Sequence, residues 1–284
     1  MNSHYFSQHI INKGILPFAR VKKLLRDSSN VEPGLQLKAV AQGLVTADQL
    51  DDLAACPIDV FKAQAVERGF LTETQMAELS ETITGESMSF AQAMLNDGFS
   101  LAEVETLLKG YDENTEMPIC EAIGRIIGAE LDSERPMYEE FTDIFMSSLG
   151  RFIGAAAVIN VSEPFQFDSV ASSHIVSQVL VGDINLVTGL YAVDDVYKDI
   201  ACRYSCEQFT EMNELAIDSV MEYFNVINGL YTVELAKREI EADLETPTVA
   251  ENIEPMGSNQ LVVPIETGFG SFALIMATDE FIFG

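Results

Sequence analysis

The chain has 284 residues, of which 45 are acidic and 16 are basic, so its formal net charge is -29. This charge argues against nucleic acids and anionic membrane surfaces as partners, because both are bound through positive patches. Hydrophobic residues make up 48% of the chain, which is enough to fill one or two cores and argues against a disordered protein.

The N-terminal sequence and the cysteine content indicate a reducing compartment. The first residues, MNSHYFSQHIINKGIL, lack the basic and long apolar segments of a signal peptide. Four cysteines do not suggest a disulfide framework, and the three histidines form no ligand cluster with them. We therefore expect a cytoplasmic protein without a metal site.

The first half of the chain repeats one pattern, an apolar residue followed eight positions later by glycine. The segments are Phe6–Gly14, Leu35–Gly43, Phe61–Gly69, Phe90–Gly98 and, less clearly, Cys120–Gly128. Glycine can end a helix in the left-handed conformation, and the hydroxyls of Thr46, Thr72 and Ser100 can cap the helix that follows. The pattern predicts an all-α module of helical-hairpin repeats over residues 1–131.

This module has few groups suited to chemistry, and we interpret it as a binding or positioning module. It weakly resembles the helical hairpins in the N-terminal domains of bacterial secretion and pilus ATPases. Some of those bind a cyclic dinucleotide through an Arg-Leu-Gly segment, which this sequence lacks. A small-molecule or cyclic-nucleotide sensor is therefore the least favoured of three functional hypotheses.

The polar stretch Asp132–Pro136 predicts a domain boundary, because proline disfavours a helix before it. Residues 137–284 then alternate between helical and strand-like patterns. Helices are predicted at Tyr138–Phe152, Asp194–Tyr204 and Gln208–Lys237, and strands at Ser173–Val181, Ile184–Val193, Asp243–Val249, Gln260–Glu266 and Ser271–Thr278. Gly182-Asp183 lies between two apolar runs and indicates a tight hairpin. The order predicts an α+β domain in which long helices pack on an antiparallel sheet.

The long helix carries the candidate functional site. One side has an apolar stripe: Ala216, Val220, Tyr223, Phe224, Ile227 and Tyr231. Roughly opposite lie Asp218, Glu222, Asn225 and Gly229, whose spacing of four, three and four stacks them on one exposed ridge. A carboxamide can donate to and accept from one water, and can thereby orient it toward a phosphoryl group. The glycine leaves room for a close approach.

The second half resembles the CheC/CheX/FliY family of chemotaxis phosphatases, and most closely CheX, over about Tyr138–Thr278. The family signature is Glu-x-x-Asn followed by glycine four residues later, and Glu222, Asn225 and Gly229 occupy those positions in the segment DSVMEYFNVINGLY. Glu245–Val249 resembles the family's strand after the long helix.

The resemblance implies a hydrolase that acts on the phospho-aspartate of a CheY-like response regulator. Asn225 would place the hydrolytic water and Glu222 would pair with the regulator's lysine, while Asp218 and Gly229 would contact the partner. The regulator would supply Mg²⁺, so no cofactor of its own is expected. CheX-like proteins often dimerise, which makes a homodimer a further expectation.

Two departures from the family leave an alternative open. The family usually has small residues around the motif, whereas this chain has Met221, Tyr223, Phe224 and Asn228. The first helix offers Glu140-x-x-Asp143 instead of a second Glu-x-x-Asn. The alternative is a non-catalytic adaptor that binds a receiver domain in two-component signalling.

Overall fold

The computed structural model describes residues 5–29, 31–82, 85–112, 117–167, 172–256, 259–278 and 281–283. The chain separates into two compact units, Met1–Met117 and Pro118–Gly284. The helix Pro118–Ile126, which the glycine pattern assigns to the first module, belongs to the second unit, where it packs against the helix Arg135–Ser148. The structural division therefore falls one helix before the predicted boundary at Asp132–Pro136.

The described residues of the first unit form α-helices and one short 3-10 helix. They are α1 (Phe6–Asn12), α2 (Phe18–Ser28), α3 (Leu35–Ala41), the 3-10 helix Asp48–Leu53, α4 (Ile58–Glu67), α5 (Glu73–Glu81), α6 (Glu86–Asn96) and α7 (Leu101–Asp112).

The predicted helix ends and caps of this unit are confirmed. The glycines after α1, α3, α4 and α6 have φ values of 62°, 68°, 72° and 100°. The hydroxyl of Thr72 accepts from Gln75 N at 3.2 Å. In the same way, the hydroxyls of Thr46 and Ser100 each accept from the backbone N–H of the residue three positions later. Gly128, from the less clear fifth segment, differs, because its φ is -77° and it precedes a 3-10 helix.

The second unit combines helices with an antiparallel sheet. Its helices are α8 (Pro118–Ile126), the 3-10 helix Ala129–Leu131, α9 (Arg135–Ser148), which continues as a π-helix at Leu149–Ile153, α10 (Asp194–Ser205) and α11 (Glu214–Ala236). Its strands are β1 (Ala157–Ile159), β2 (Ser173–Gly182), β3 (Leu186–Val193), β4 (Ala242–Leu244), β5 (Thr248–Glu251), β6 (Pro255–Met256), β7 (Gln260–Thr267), β8 (Ser271–Ala277) and β9 (Ile282–Phe283).

The main sheet has the strand order β1-β7-β8-β3-β2-β4, and β5 also pairs with β2. Every pairing in it is antiparallel, and β2 and β3 are joined through Gly182-Asp183. The connection is longer than the predicted tight hairpin, because the last pair is Leu180 with Leu186 and Gly182 pairs with β4 instead. A small separate sheet pairs β6 with β9. The prediction of helices combined with an antiparallel sheet is therefore confirmed for the second unit.

Two predicted elements show the largest differences from their bounds in the structure. The strand predicted at Asp243–Val249 is two strands, β4 and β5, which both pair with β2 and are separated at Glu245–Pro247. Proline has no N–H for a ladder hydrogen bond, which explains the break. The helix predicted from Gln208 begins at Glu214, because Asn213 caps it through Oδ1, which accepts from Ala216 N at 2.9 Å.

Helices α9, α10 and α11 pack around one face of the sheet. Phe145 of α9 is fully buried and contacts Tyr223 and Phe224 of α11 and Phe272 of β8, with ring centroids 6.2 to 6.5 Å apart. The opposite sheet face is covered by Phe281 and by the half-buried Phe165 and Phe167. In the part of the chain that is described, no helix is long and apolar enough to cross a membrane.

Candidate functional site

The candidate ridge lies on α11 as its spacing predicts. Asp218 and Glu222 are exposed, and Asn225 and Gly229 are half-buried. The six residues of the apolar stripe are at most 1% exposed, so the side of α11 that they form is the packed side. The structure therefore brings all four predicted site residues onto the outer side of one helix.

The side chain of Asn225 is held from behind by a residue that the sequence analysis did not select. Gln178 of β2, which is 2% exposed, donates from Nε2 to Asn225 Oδ1 at 2.8 Å. The same nitrogen donates to the backbone carbonyl of Glu245 at 2.8 Å. Among the described residues, none accepts a hydrogen bond from Asn225 Nδ2. The carboxamide is thus held through its oxygen, and its amino group remains available for a ligand.

The hydrogen bonds continue from Gln178 into the core. Gln178 Oε1 accepts from Asn228 Nδ2 at 2.9 Å, and Asn228 Oδ1 accepts from Thr188 Oγ1 at 2.9 Å. Asn228 and Thr188 are both fully buried. One sequence signal could have identified Gln178, since it is a polar residue on the inward side of the alternating strand SHIVSQVLV. Buried amides need partners, and such a residue invites a search for one.

Three of the four bulky residues around the motif do not reach the ridge. Tyr223, Phe224 and Asn228 are fully buried and point into the core, while Met221 is half-buried. The side chains of those three residues are therefore part of the core and not of the exposed ridge.

Tyrosines of α10 lie beside the acidic part of the ridge. Burial raises the pKa of Tyr204, and the negative charge of Glu222 raises it further. Burial also raises the pKa of Tyr197, with a smaller contribution from Asp218. Both phenols consequently stay protonated at neutral pH, and neither is suited to act as a general base beside the ridge.

The polar pair on α9 is engaged in other contacts. Glu140 Oε2 accepts from Arg238 Nη2 at 2.5 Å. Asp143 lines a small cavity of about 200 Å³ between α9 and α11, together with Ser147 and Arg151. Glu140-x-x-Asp143 therefore does not form a free second ridge. Within the described ranges, no group of three or more His, Cys, Asp or Glu residues could hold a metal ion.

Gly229 lies in the interior of α11, where glycine is unfavourable. A Cβ atom built on Gly229 would meet no atom within 4 Å. Internal packing therefore does not require glycine at this position, although glycine costs a helix about 1 kcal/mol relative to alanine.

Among the comparisons with known proteins, the search of solved structures gave matches. No protein-family model matches the chain, and no curated protein matches it. CheX from Vibrio vulnificus is 16% identical, with a TM-score of 0.41, over 53% of this chain and 99% of that chain. CheX in a CheX–CheY–BeF₃–Mg²⁺ complex from Borrelia burgdorferi is 18% identical, with a TM-score of 0.41, over 50% and 97%. FliY from Thermotoga maritima is 17% identical, with a TM-score of 0.38, over 52% and 91%. The chain thus resembles CheX and FliY structures over about half of its length.

Proposed function

We propose that the second unit hydrolyses the phospho-aspartate of a CheY-like response regulator. The observation that carries the proposal is the geometry of the ridge. An oriented carboxamide, Asn225, lies one turn from an exposed carboxylate, Glu222, on the outer side of a well-packed helix. Such a ridge can enter a partner's active site and supply a water-positioning group there.

The proposed chemistry needs no covalent step by this chain. Hydrolysis of an acyl phosphate depends on placing a water in line with the phosphorus and on stabilising charge. Asn225 Nδ2 can donate to the water oxygen, and the second lone pair of Oδ1 can accept from a water hydrogen. The Mg²⁺ that neutralises the phosphoryl charge belongs to the regulator in this proposal.

The same contact with a receiver domain could also serve an adaptor without catalysis. To separate the two, the full chain is mixed with a phosphorylated CheY-like receiver from the same organism and Mg²⁺, and the acyl-phosphate lifetime is measured. A shortened lifetime supports the phosphatase. Binding of a beryllofluoride-activated receiver with an unchanged lifetime supports the adaptor. If there is neither binding nor a shortened lifetime, both proposals are wrong.

Replacing Glu222 by glutamine is expected to weaken receiver binding about tenfold, or about 1.4 kcal/mol. The substitution keeps the shape of the side chain but removes the charge proposed to meet the regulator's lysine. The affinity is measured by titration at two salt concentrations, since loss of an ion pair also reduces the salt dependence.

The matched control is Glu234→Gln on the same helix, where Glu234 pairs with Lys237 at 2.6 Å and lies off the ridge. Equal affinities of the two variants would remove the proposed role of Glu222.

Replacing Gly229 by alanine is expected to separate stability from docking. The helix should gain about 0.5 to 1 kcal/mol, because alanine is the better helix former and its methyl group meets no neighbour. Receiver affinity should fall about tenfold, because the methyl group would collide with a closely approaching partner. Urea unfolding and receiver titration measure the two effects.

Gly110 in α7 provides the control, because a Cβ there also meets nothing within 4 Å. Gly110→Ala should improve stability and leave receiver affinity unchanged. An unchanged affinity in Gly229→Ala would show that the partner does not approach this part of the helix closely.

The cytoplasmic location, the homodimer and the positioning role of the first unit stay predictions. Size-exclusion chromatography with light scattering would measure the oligomeric state of the full chain directly.

A further inference from the structure

The buried hydrogen bonds behind Asn225 have a defined direction. A backbone carbonyl only accepts, so the Gln178 group that faces the carbonyl of Glu245 at 2.8 Å must be its nitrogen. The oxygen of Gln178 therefore faces Asn228, from which it accepts at 2.9 Å. One backbone carbonyl thus determines which way the Gln178 amide is turned.

A second backbone carbonyl, that of Phe224, determines which way the amide of Asn228 is turned. Asn228 Nδ2 donates to Phe224 O at 3.1 Å as well as to Gln178 Oε1. The oxygen of Asn228 accepts from the hydroxyl of Thr188. The two anchors agree, because both require Gln178 to present its nitrogen to Asn225. A reversed Gln178 would place its oxygen against the carbonyl oxygen of Glu245 and its nitrogen against the donor Asn228 Nδ2.

We propose that Gln178 is a positioning residue that sets the orientation of the Asn225 carboxamide. Gln178 donates to Asn225 Oδ1 at 2.8 Å and leaves the Asn225 amino group facing the docking partner. This inference rests on the proposed function for its catalytic consequence. Turned the other way, Asn225 would present mainly an acceptor to a phosphoryl group that is itself rich in acceptors.

The hydrogen bond from Gln178 to Asn225 Oδ1 also makes Asn225 Nδ2 a stronger hydrogen-bond donor. Hydrogen-bond chains in low-dielectric surroundings polarise one another. Gln178, Asn228 and Thr188 are all at most 2% exposed, so water does not compete strongly with these bonds. Asn225 is half-buried, at the point where the chain of amides reaches the surface. A buried network therefore ends in one oriented donor on the ridge.

The variant that tests the inference is Gln178→Met, which keeps similar length and volume but can neither donate nor accept strongly. Its matched control is Gln260→Met. Gln260 also donates to a backbone carbonyl, that of Pro255 at 2.8 Å, but has no hydrogen bond to Asn225. If Gln178 served only to give a backbone carbonyl its hydrogen bond, the two variants would have the same effect on the Asn225 amide and on the dephosphorylation rate.

The first readout is independent of any partner. The side-chain amide signals of Asn225 are identified in ¹⁵N NMR spectra of the full chain by their loss in Asn225→Ala. We expect this amide to be ordered in the wild type and in Gln260→Met, and mobile in Gln178→Met. An Asn225 amide that stays equally ordered in Gln178→Met, or that is already mobile in the wild type, would overturn the proposal.

The second readout is the dephosphorylation rate at several receiver concentrations. Gln178→Met is expected to lower kcat about tenfold to a hundredfold with KM changed less than twofold, because misplacing a positioned group by about 1 Å costs up to about 10² in rate. Gln260→Met should match the wild type. An unchanged kcat beside a mobile Asn225 amide would overturn the catalytic consequence.

The two proposals can fail separately. If the wild type does not shorten the acyl-phosphate lifetime, the phosphatase proposal fails, while the NMR readout still decides whether Gln178 orients Asn225. If Gln178→Met does not fold, the wild-type spectrum decides, since an oriented Asn225 requires ordered amide signals and slow exchange of the buried Gln178 amide protons.

Discussion

Replacing Asn225 by alanine is expected to slow receiver dephosphorylation about a hundredfold or more while receiver affinity changes less than about threefold. The expected size follows from catalytic sites in which one preorganised hydrogen-bond donor is worth about 10² to 10³ in rate. Asn225 is the only ridge residue for which the described structure gives a polar contact from the core, through Gln178 Nε2 at 2.8 Å. The measurement is the acyl-phosphate lifetime at saturating enzyme, together with a separate binding titration.

Two further variants sharpen this result. Asn225→Asp keeps the shape and the acceptor that faces Gln178, but when ionised it loses the outward donor, so it should be nearly as slow as alanine. Ser219→Ala is the control, because the hydroxyl of Ser219 donates to Leu215 O of the same helix at 2.7 Å and, among the described residues, makes no hydrogen bond to a ridge residue. If Asn225→Ala and wild type give the same lifetime, the proposed mechanism is wrong.

Replacing Phe145 by alanine is expected to lower the free energy of unfolding of the second unit by about 3 to 5 kcal/mol. The ring is fully buried and contacts aromatic rings on both α11 and β8. Its removal would leave a cavity at the junction of α9, α11 and the sheet, and would also lose the edge-to-face contacts. Urea unfolding followed by circular dichroism measures the change.

Phe152→Ala is the corresponding control, because this half-buried ring lies at the end of the same helical segment. Phe152→Ala should lower the free energy of unfolding clearly less than Phe145→Ala does. Equal losses would mean that the aromatic junction is not what holds α11 on the sheet. Since α11 presents the ridge, a loosened junction should also reduce dephosphorylation before the unit unfolds.

The features that the sequence predicted correctly depend on local interactions. The caps at Thr46, Thr72 and Ser100 join residues three apart, and the left-handed glycines act within one turn. The orientation of α11 was predictable for the same reason, because helical periodicity places the stripe from Ala216 to Tyr231 opposite the ridge.

The features that the sequence did not predict depend on sheet register and on tertiary packing. Gln178 and Asn225 are 47 positions apart, and their contact exists only because β2 lies beneath α11. The break at Glu245–Pro247 is what exposes the Glu245 carbonyl to Gln178. The glycine pattern assigned helix α8 to the first module. In the structure α8 packs against α9 and therefore belongs to the second unit.

The open space around Gly229 has a consequence for the engineering of this chain. Alanine at this position meets no neighbouring atom and gives a more stable helix. A laboratory selection that rewards only resistance to heat would therefore favour Gly229→Ala. Under the proposed docking the same change would weaken receiver binding, so such a selection should also score binding.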